Sequence, residues 1–281
     1  VSELRIVQCS DLHFGRDVDL AQVEALIAHV RQVRPTAVVI AGDLTQRARH
    51  GEFQAAAMVR DQLASVAPVL AVPGNHDVQW WESPLHVLGT ERLYAKYRRD
   101  FSPVLTPTLM LPGLLIAGML SAHGVAWGSL TWNLKRDPAV KGHLPESETD
   151  RVRALFEAAP EGTAKVAVLH QNVVRGHISN RWGLAHPLDA QRRIVQTGAD
   201  LVLCGHDHEE AVSLLDGVVV ATSSTHTGRT RGRRPSAFND ITIGIASITV
   251  TFQHWQAAER RFAAGEPHTF ARRSAMPAGV R

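Results

Sequence analysis

Short, mainly apolar runs lie at 6–9, 37–41 and 69–72, and between them 18–33 and 52–66 repeat their apolar positions at helical spacing. This alternation predicts parallel strands inside a sheet that crossover helices cover. It resumes with 166–169, a helix over 187–197, and 201–204. Beyond Val212 the pattern changes: 212–215 and 218–221 flank an Asp216-Gly217 turn signal, followed by 241–243 and 248–252, so hairpins replace crossovers. The predicted fold class is α/β, with two mixed β-sheets packed as a sandwich and flanked by helices in four α/β/β/α layers. Residues 1–264 read as a single domain. Within it 78–160 are least regular: Trp80 and Trp81, a helix-like 91–99, a proline-punctuated 101–113 and an apolar 114–120 predict a partly irregular, cap-like insertion. The tail 265–281, with Pro267 and Pro277, has no periodicity and is expected to be flexible.

Composition narrows the function classes. With 281 residues, 44% hydrophobic and 20% charged, the chain can bury a large core, and disorder, collagen and coiled coil are excluded. A net charge of +3 does not call for a nucleic-acid partner. No apolar run reaches the ~18 residues of a membrane span and no basic-then-apolar leader opens the chain, so the expectation is a cytoplasmic protein with no membrane span. Cys9 and Cys204 are too few for a disulfide framework or a cysteine-built zinc site. Arg229, Arg231, Arg233 and Arg234 form the densest charge cluster, readable either as a solvated loop or as a rim that attracts an anionic substrate. The unusual count is 15 histidines.

Five apolar runs are each followed within a few residues by side chains able to bind metal: Asp11 and His13, Asp43, Asn75 with His76, His170, and His206 with His208. In open α/β sheets, functional side chains gather beyond the carboxyl ends of strands, so these residues can converge on one crevice. Any one of these histidines alone is more often a satisfied surface or core residue. Their joint placement, with Gly42, Gly74 and Gly205 allowing tight turns beside them, makes coincidence improbable.

Asp11-x-His13, Gly42-Asp43, Gly74-Asn75-His76-Asp77, His170 and Gly205-His206-Asp207-His208 resemble the motifs of the calcineurin-like metallophosphoesterases, all five in family order over residues 4 to about 250. The resemblance implies that Asp11, His13, Asp43 and His208 hold one metal and that Asp43, Asn75, His170 and His206 hold a second, with Asp43 bridging. It implies a hydroxide between the two ions that attacks phosphorus in line. A ligand set of nitrogen and oxygen without thiolate suits two divalent or mixed-valence transition-metal ions, with Mn, Fe or Zn foremost. His76 resembles the family's non-ligand histidine, which faces the phosphate and assists the leaving group. Asp77 either orients His76 or serves as a helix N-cap.

The departures from the family pattern carry information of their own. Protein serine/threonine phosphatases of the superfamily carry Gly-Asp-x-x-Asp-Arg-Gly, whereas this chain reads Gly42-Asp43-Leu44-Thr45-Gln46-Arg47-Ala48, so the second carboxylate is missing. Arg47 either touches phosphate or leads a helix into solvent. Gly-Asp-Leu-Thr, Glu52-Phe53, Trp132-Asn133-Leu134 and Gly142-His143-Leu144 look more like the bacterial branch that includes class III cyclic-nucleotide phosphodiesterases and glycerophosphodiesterases. Many members of that branch read His-His-Pro where this chain reads His170-Gln171-Asn172. His226 and Arg229 are candidates to reach substrate, His226 alternatively capping a strand end. Trp80, Trp81 and Trp182 are candidates to stack on a base, or they pack.

The expected activity is hydrolysis of a small phosphodiester, a 3′,5′-cyclic nucleotide being the named candidate, with a homodimer as the candidate assembly. A broad glycerophosphodiesterase or phosphomonoesterase is the alternative. A DNA nuclease would need a long basic groove, and a non-catalytic scaffold would have lost ligands, whereas none is lost here.

Overall fold

In a computed structural model that describes residues 3–15, 18–79, 90–124 and 141–273, the strands form two six-stranded mixed sheets. The first is built on β1 (Leu4–Cys9), β2 (Ala37–Ala41) and β3 (Val69–Val72), parallel and joined by helices α1 (Leu20–Val33) and α2 (His50–Ala64). The second contains β4 (Thr108–Leu111), β5 (Leu114–Gly118), β6 (Ala164–Val168), β7 (Leu201–Cys204), β8 (Ala211–Leu215) and β9 (Val218–Thr222). Its β5, β6, β7 and β9 run parallel, and β4 and β8 close the two edges antiparallel. The chain then returns to the first sheet as β10 (Ala237–Ile243), β11 (Ser247–Gln256) and β12 (Arg261–Ala271), so the first sheet runs β12-β11-β10-β1-β2-β3.

Strand periodicity explains the layering, because successive side chains point to opposite faces. Ile6, Val39 and Leu70 meet Ile116, Val166 and Leu203 between the sheets. Val7, Val38 and Ile40 face outward onto α1 and α2, against Val23, Leu26, Phe53 and Leu63. On the far side, Ala167 and Val202 pack under Val152 and Phe156 of α5 (Glu146–Glu157) and Ile194 of α6 (Pro187–Gln196). Three apolar layers between four layers of elements are the arrangement the sequence predicts. Among the described residues no helix is long and apolar enough to cross a membrane.

Two segments differ from expectation. Residues 261–271, read in part as a flexible tail, form β12, paired along its length with β11. Gly265 and Pro267 erase the strand pattern there, and an edge strand tolerates both because one of its sides needs no partner. Much of 78–160 belongs to the body of the sandwich: α3 (Thr90–Leu93) and α4 (Ala95–Asp100) put Tyr94 and Tyr97 into the core beside α2, and 108–118 supply β4 and β5. Trp80, Trp81 and Trp132-Asn133-Leu134 lie outside the described residues.

Candidate metal centre

All seven donor candidates converge past the carboxyl ends of β1, β2, β3, β6 and β7. Ligand atoms of Asp11, His13 and His208 lie within 4.8 Å of one another, as do those of Asp43, His170 and His206. Asn75 joins the second group, its Oδ1 standing 3.1 Å from His170 Nε2 and 2.9 Å from His206 Nδ1. Asp43 Oδ2 lies 3.2 Å from His170 Nε2 and 3.8 Å from His13 Nε2, between the two groups. Asp11 Oδ1 lies 3.2 Å from His208 Nε2 and 3.6 Å from His13 Nε2.

The loops reach this geometry at a conformational cost. Asp11, His13, Asp43, His206 and His208 have φ of 54°, 47°, 50°, 76° and 57°, a left-handed region that Asp and His visit more readily than bulkier residues but that still costs about 1 kcal/mol or more each. Interstrand bonding carried past the strand ends holds them: Asp11 N–H donates to the Gly42 carbonyl (3.0 Å), His13 N–H to Asp43 (3.0 Å) and Phe14 N–H to Leu44 (2.8 Å). Gly42, at φ 85°, admits His170, since a Cβ there would stand 2.6 Å from its Nδ1. Gly205 has no room for a side chain against the Ser10 hydroxyl.

Three imidazoles are oriented by backbone carbonyls. The Nδ1–H of His170 donates to Ala41 (2.8 Å), that of His208 to Arg229 (3.0 Å) and that of His76 to Gln46 (2.9 Å). Each bond fixes the tautomer and turns Nε2 inward with its lone pair, as metal-binding histidines require. Asp11 Oδ2 accepts from the Ser10 hydroxyl (2.5 Å) and from His206 N–H (2.9 Å), which ties the β1 loop to the β7 loop. Its Oδ1 is buried without a hydrogen-bond partner.

Electrostatics show what the cluster favours. Burial opposes ionisation of Asp43 and Asp11, yet His170 and His76 around the first, and His13 and His208 around the second, hold both below the ordinary carboxylate range. Burial also opposes a charged His170, and Asp43 overrides it, pushing that imidazole up to about 9. His208 is raised against burial by Asp11, whereas burial and the His170 charge push His206 down to about 3. In the metal-free chain the two aspartates thus favour protons on His170 and His208. Two aspartates, an orphaned carboxylate oxygen and imidazole nitrogens aimed at one another fit a pair of divalent cations, whose binding would displace those protons.

His76 reaches the same crevice: its donor atom lies within 4.8 Å of those of His13 and Asp43, and its N–H donates to Asp43 Oδ1 (2.8 Å). Asp77 does not orient it. The Asp77 carboxylate accepts instead from the N–H groups of Gly74, Leu44 and Thr45 and from the Thr45 hydroxyl, knotting the β2 and β3 loops. Its bond from Gly74 is the capping interaction of the short 3-10 turn Asn75–Asp77, at the third position rather than the N-cap.

His226, a candidate substrate contact, is fully buried behind the Asp11 loop, with its ring stacked on Phe238 and tilted against Phe262, so it cannot touch substrate. Burial lowers its pKa to about 4 and keeps it neutral. Arg47 is exposed at the entrance to α2, where its N–H donates to Glu52 (2.8 Å). Arg229 is exposed, and what it gives the centre is its carbonyl on His208. Trp182 is half-buried. The residues that sequence reasoning missed are Ser10, which carries no distinguishing pattern, and Gln8 with Asn239. Asn239 Nδ2–H donates to Gln8 (2.7 Å) and Gln8 Nε2–H to the Cys204 carbonyl (2.8 Å), a buried polar bridge between the sheets beneath the centre.

Comparison with known proteins agrees with this geometry. The sequence model of the calcineurin-like phosphoesterase family matches residues 4–210. A Danio rerio protein described as a transmembrane protein with metallophosphoesterase domain is 32% identical over 105 residues, 36% of this chain and 24% of that protein. The chain thus spans about a quarter of that relative's length. Among solved structures, the purple acid phosphatase PPD1 from yellow lupin (Lupinus luteus) seeds superposes at TM-score 0.70 with 11% identity, covering 99% of this chain and 56% of that one. A dimetal phosphatase from Danio rerio superposes at TM-score 0.66 with 13% identity, covering 96% and 99% of the two chains. At these identities the superpositions speak to the fold, and the family match, across most of the chain and every donor-bearing loop, carries the assignment: this protein belongs to the calcineurin-like phosphoesterase family.

Proposed function

We propose that this chain hydrolyses small phosphodiesters with two divalent cations, one held by Asp11, His13, Asp43 and His208 and the other by Asp43, Asn75, His170 and His206. The observation that carries the reading is the convergence of two donor groups on a shared Asp43 with the His76 ring beside them. When bound, such a pair supplies Lewis acidity to phosphoryl oxygens and makes water acidic enough to attack phosphorus near neutral pH. The chain's own groups do the remainder. Only Asp11 and Asp43 bring negative charge to the donor set, so the loaded crevice stays positive and attracts phosphate esters. His76, steadied through Nδ1–H on the Gln46 carbonyl, presents Nε2 to the crevice, where it can hold a phosphoryl oxygen or give a proton to the departing alkoxide. Gln46 offers His76 a carbonyl and no carboxylate, which supports a diesterase over a protein phosphatase. Manganese, iron or zinc suits the nitrogen and oxygen donors.

The test is direct. Protein stripped by a chelator is expected to lose hydrolysis of bis(p-nitrophenyl) phosphate and regain it with Mn2+; undiminished turnover without metal would sink the proposal. Among natural esters, a 3′,5′-cyclic nucleotide is the first substrate to compare with glycerophosphodiesters and phosphomonoesters, and faster turnover of either of these would replace the cyclic-nucleotide reading.

A further inference from the structure

Two loops border the proposed cation ligands. One follows His170 over 172–183, and Asn172 closes it, with Nδ2–H donating to the carbonyls of Val174 (2.9 Å) and Arg181 (3.3 Å). The other covers 226–236 and is tied twice to His208: its Arg229 carbonyl accepts from His208 Nδ1–H, and Arg231 N–H donates to the His208 carbonyl (3.1 Å). The loops meet where Ile178 packs on Gly232, so closely that a Cβ there would lie 3.1 Å from it.

Together the loops carry Arg175, Arg181, Arg229, Arg231, Arg233 and Arg234 and no acidic residue. The acids of the neighbouring segment, Asp207, Glu209 and Glu210, are buried and turned inward. Asp207 accepts from the Ser179 hydroxyl, Glu209 from the Ile178 and Ser179 N–H groups, and Glu210 from Arg234. Arg231 Nε–H donates to the Asp207 carbonyl (3.1 Å), a bond that fixes the side chain without cancelling its charge. Among the described residues of these two loops and of 207–210, the outward charge therefore has one sign. Six arginines against three acids leave an excess of three, as large as the +3 of the whole chain. Arginine's planar fork matches phosphate oxygens in pairs.

We propose that this arginine shelf selects the substrate: it takes a second phosphate, so the preferred ester carries another phosphate group besides the scissile one, and a 3′,5′-cyclic nucleotide, with a single phosphate, would be a poorer substrate than such an ester. The proposal rests on the phosphoesterase reading, and its test is kept separate by reading binding rather than turnover. Calorimetry on manganese-loaded protein would compare glucose 6-phosphate with glucose 1,6-bisphosphate. A choice of two phosphates for one site accounts by itself for about a twofold advantage. The shelf is expected to give the bisphosphate about tenfold or more, ~1.4 kcal/mol. In an R181Q/R233Q double variant, and separately in R229Q, the advantage should fall toward twofold. A twofold advantage in the unaltered protein, or an advantage the variants leave intact, would overturn the shelf. So would an equal weakening of both probes, which would mean a diffuse field and no second-phosphate site. Absence of bis(p-nitrophenyl) phosphate hydrolysis would sink the phosphoesterase reading alone, and the binding ratio would still decide the shelf.

Discussion

The two donor groups share Asp43 and are otherwise built differently. In the group of Asn75, His170 and His206, the His170 ring is fully buried with its Nδ1–H on the Ala41 carbonyl, and Asn75 Oδ1 stands about equally far from both imidazoles. Asp77 anchors the loop that presents Asn75. In the group of Asp11, His13 and His208, His13 Nδ1 is buried without a hydrogen-bond partner, and the His208 side chain keeps 16% of its exposure and leans on a surface loop through Arg229. Groups that hold a ligand ring raise its basicity and fix its aim. One half of the centre therefore rests on a buried, carbonyl-held His170 and an anchored Asn75, while the other depends on a His13 ring held on one side only and on a loop at the surface.

The harshest way to break the comparison is to remove what the halves share. Asp43→Ala is expected to empty both, taking metal content below one ion per chain and turnover down by about 10³-fold, the upper range for one lost electrostatic contact. Elemental analysis showing two bound ions in that variant would refute the bridging position. His76→Ala tests the opposite case, a group beside both halves and belonging to neither. Its turnover should fall about 10²-fold, in the range of a lost general acid, with metal content near that of the unaltered protein. Loss of both ions would make His76 a ligand.

A milder experiment sharpens the difference itself. Stepwise dialysis against a weak chelator should release one cation before the other. The ion held by His170 and His206 should bind about 10-fold or more tighter, the effect typical of orienting partners. His208→Ala should abolish the early-released ion and spare the late one, and simultaneous release of both from the unaltered protein would show that the halves are equivalent.

How much of this was legible in the sequence depends on where each function is carried. Asp11, Asp43, Asn75, His170 and His206 each follow an apolar run, so strand ends and ligand positions announce one another. The carbonyls of Ala41, Gln46 and Arg229 orient the rings, and any residue type supplies a carbonyl, so no pattern marks them. Side-chain readings failed where the backbone turned the other way. His226 lies on a segment that folds inward, where Thr225 Oγ1–H donates to the Asp11 carbonyl (2.7 Å) and the ring passes into the core. Asp77 sits in a family motif next to His76, but in a 3-10 turn adjacent side chains diverge, and its carboxylate reaches the backbone of the neighbouring loop. β12 was hidden because an edge strand can carry the glycine and proline that a central strand excludes.

Asp77 gives the smallest expected effect and the most specific. Its Oδ1 accepts from Thr45 N–H and hydroxyl, both at 2.9 Å, and its Oδ2 from Leu44 N–H (3.1 Å) and Gly74 N–H (2.9 Å). An asparagine keeps the size, but its amide nitrogen must face one of these pairs of donors, leaving them unpaired at a cost of about 1–3 kcal/mol. Burial and the neighbouring Asp43 charge raise the Asp77 pKa from 3.8 to about 6. A carboxyl raised on folding binds its proton more tightly in the native chain, so its stabilisation is complete below pH 3.8 and is lost as pH rises through about 6. Asp43 and Asp11, lowered on folding, contribute the opposite slope, lost as pH falls through their depressed values. Urea unfolding of the metal-free protein should therefore show Asp77→Asn less stable at pH 7 and without the Asp77 component of the slope between pH 4 and 6. The same variant should narrow the affinity gap between the two cations, because the Asp77 carboxylate bonds directly to the Gly74 N–H beside Asn75 and reaches the Asp11 loop only through the β2 loop. An unchanged midpoint at pH 7 together with an unchanged gap would show that the buried carboxylate supports neither loop.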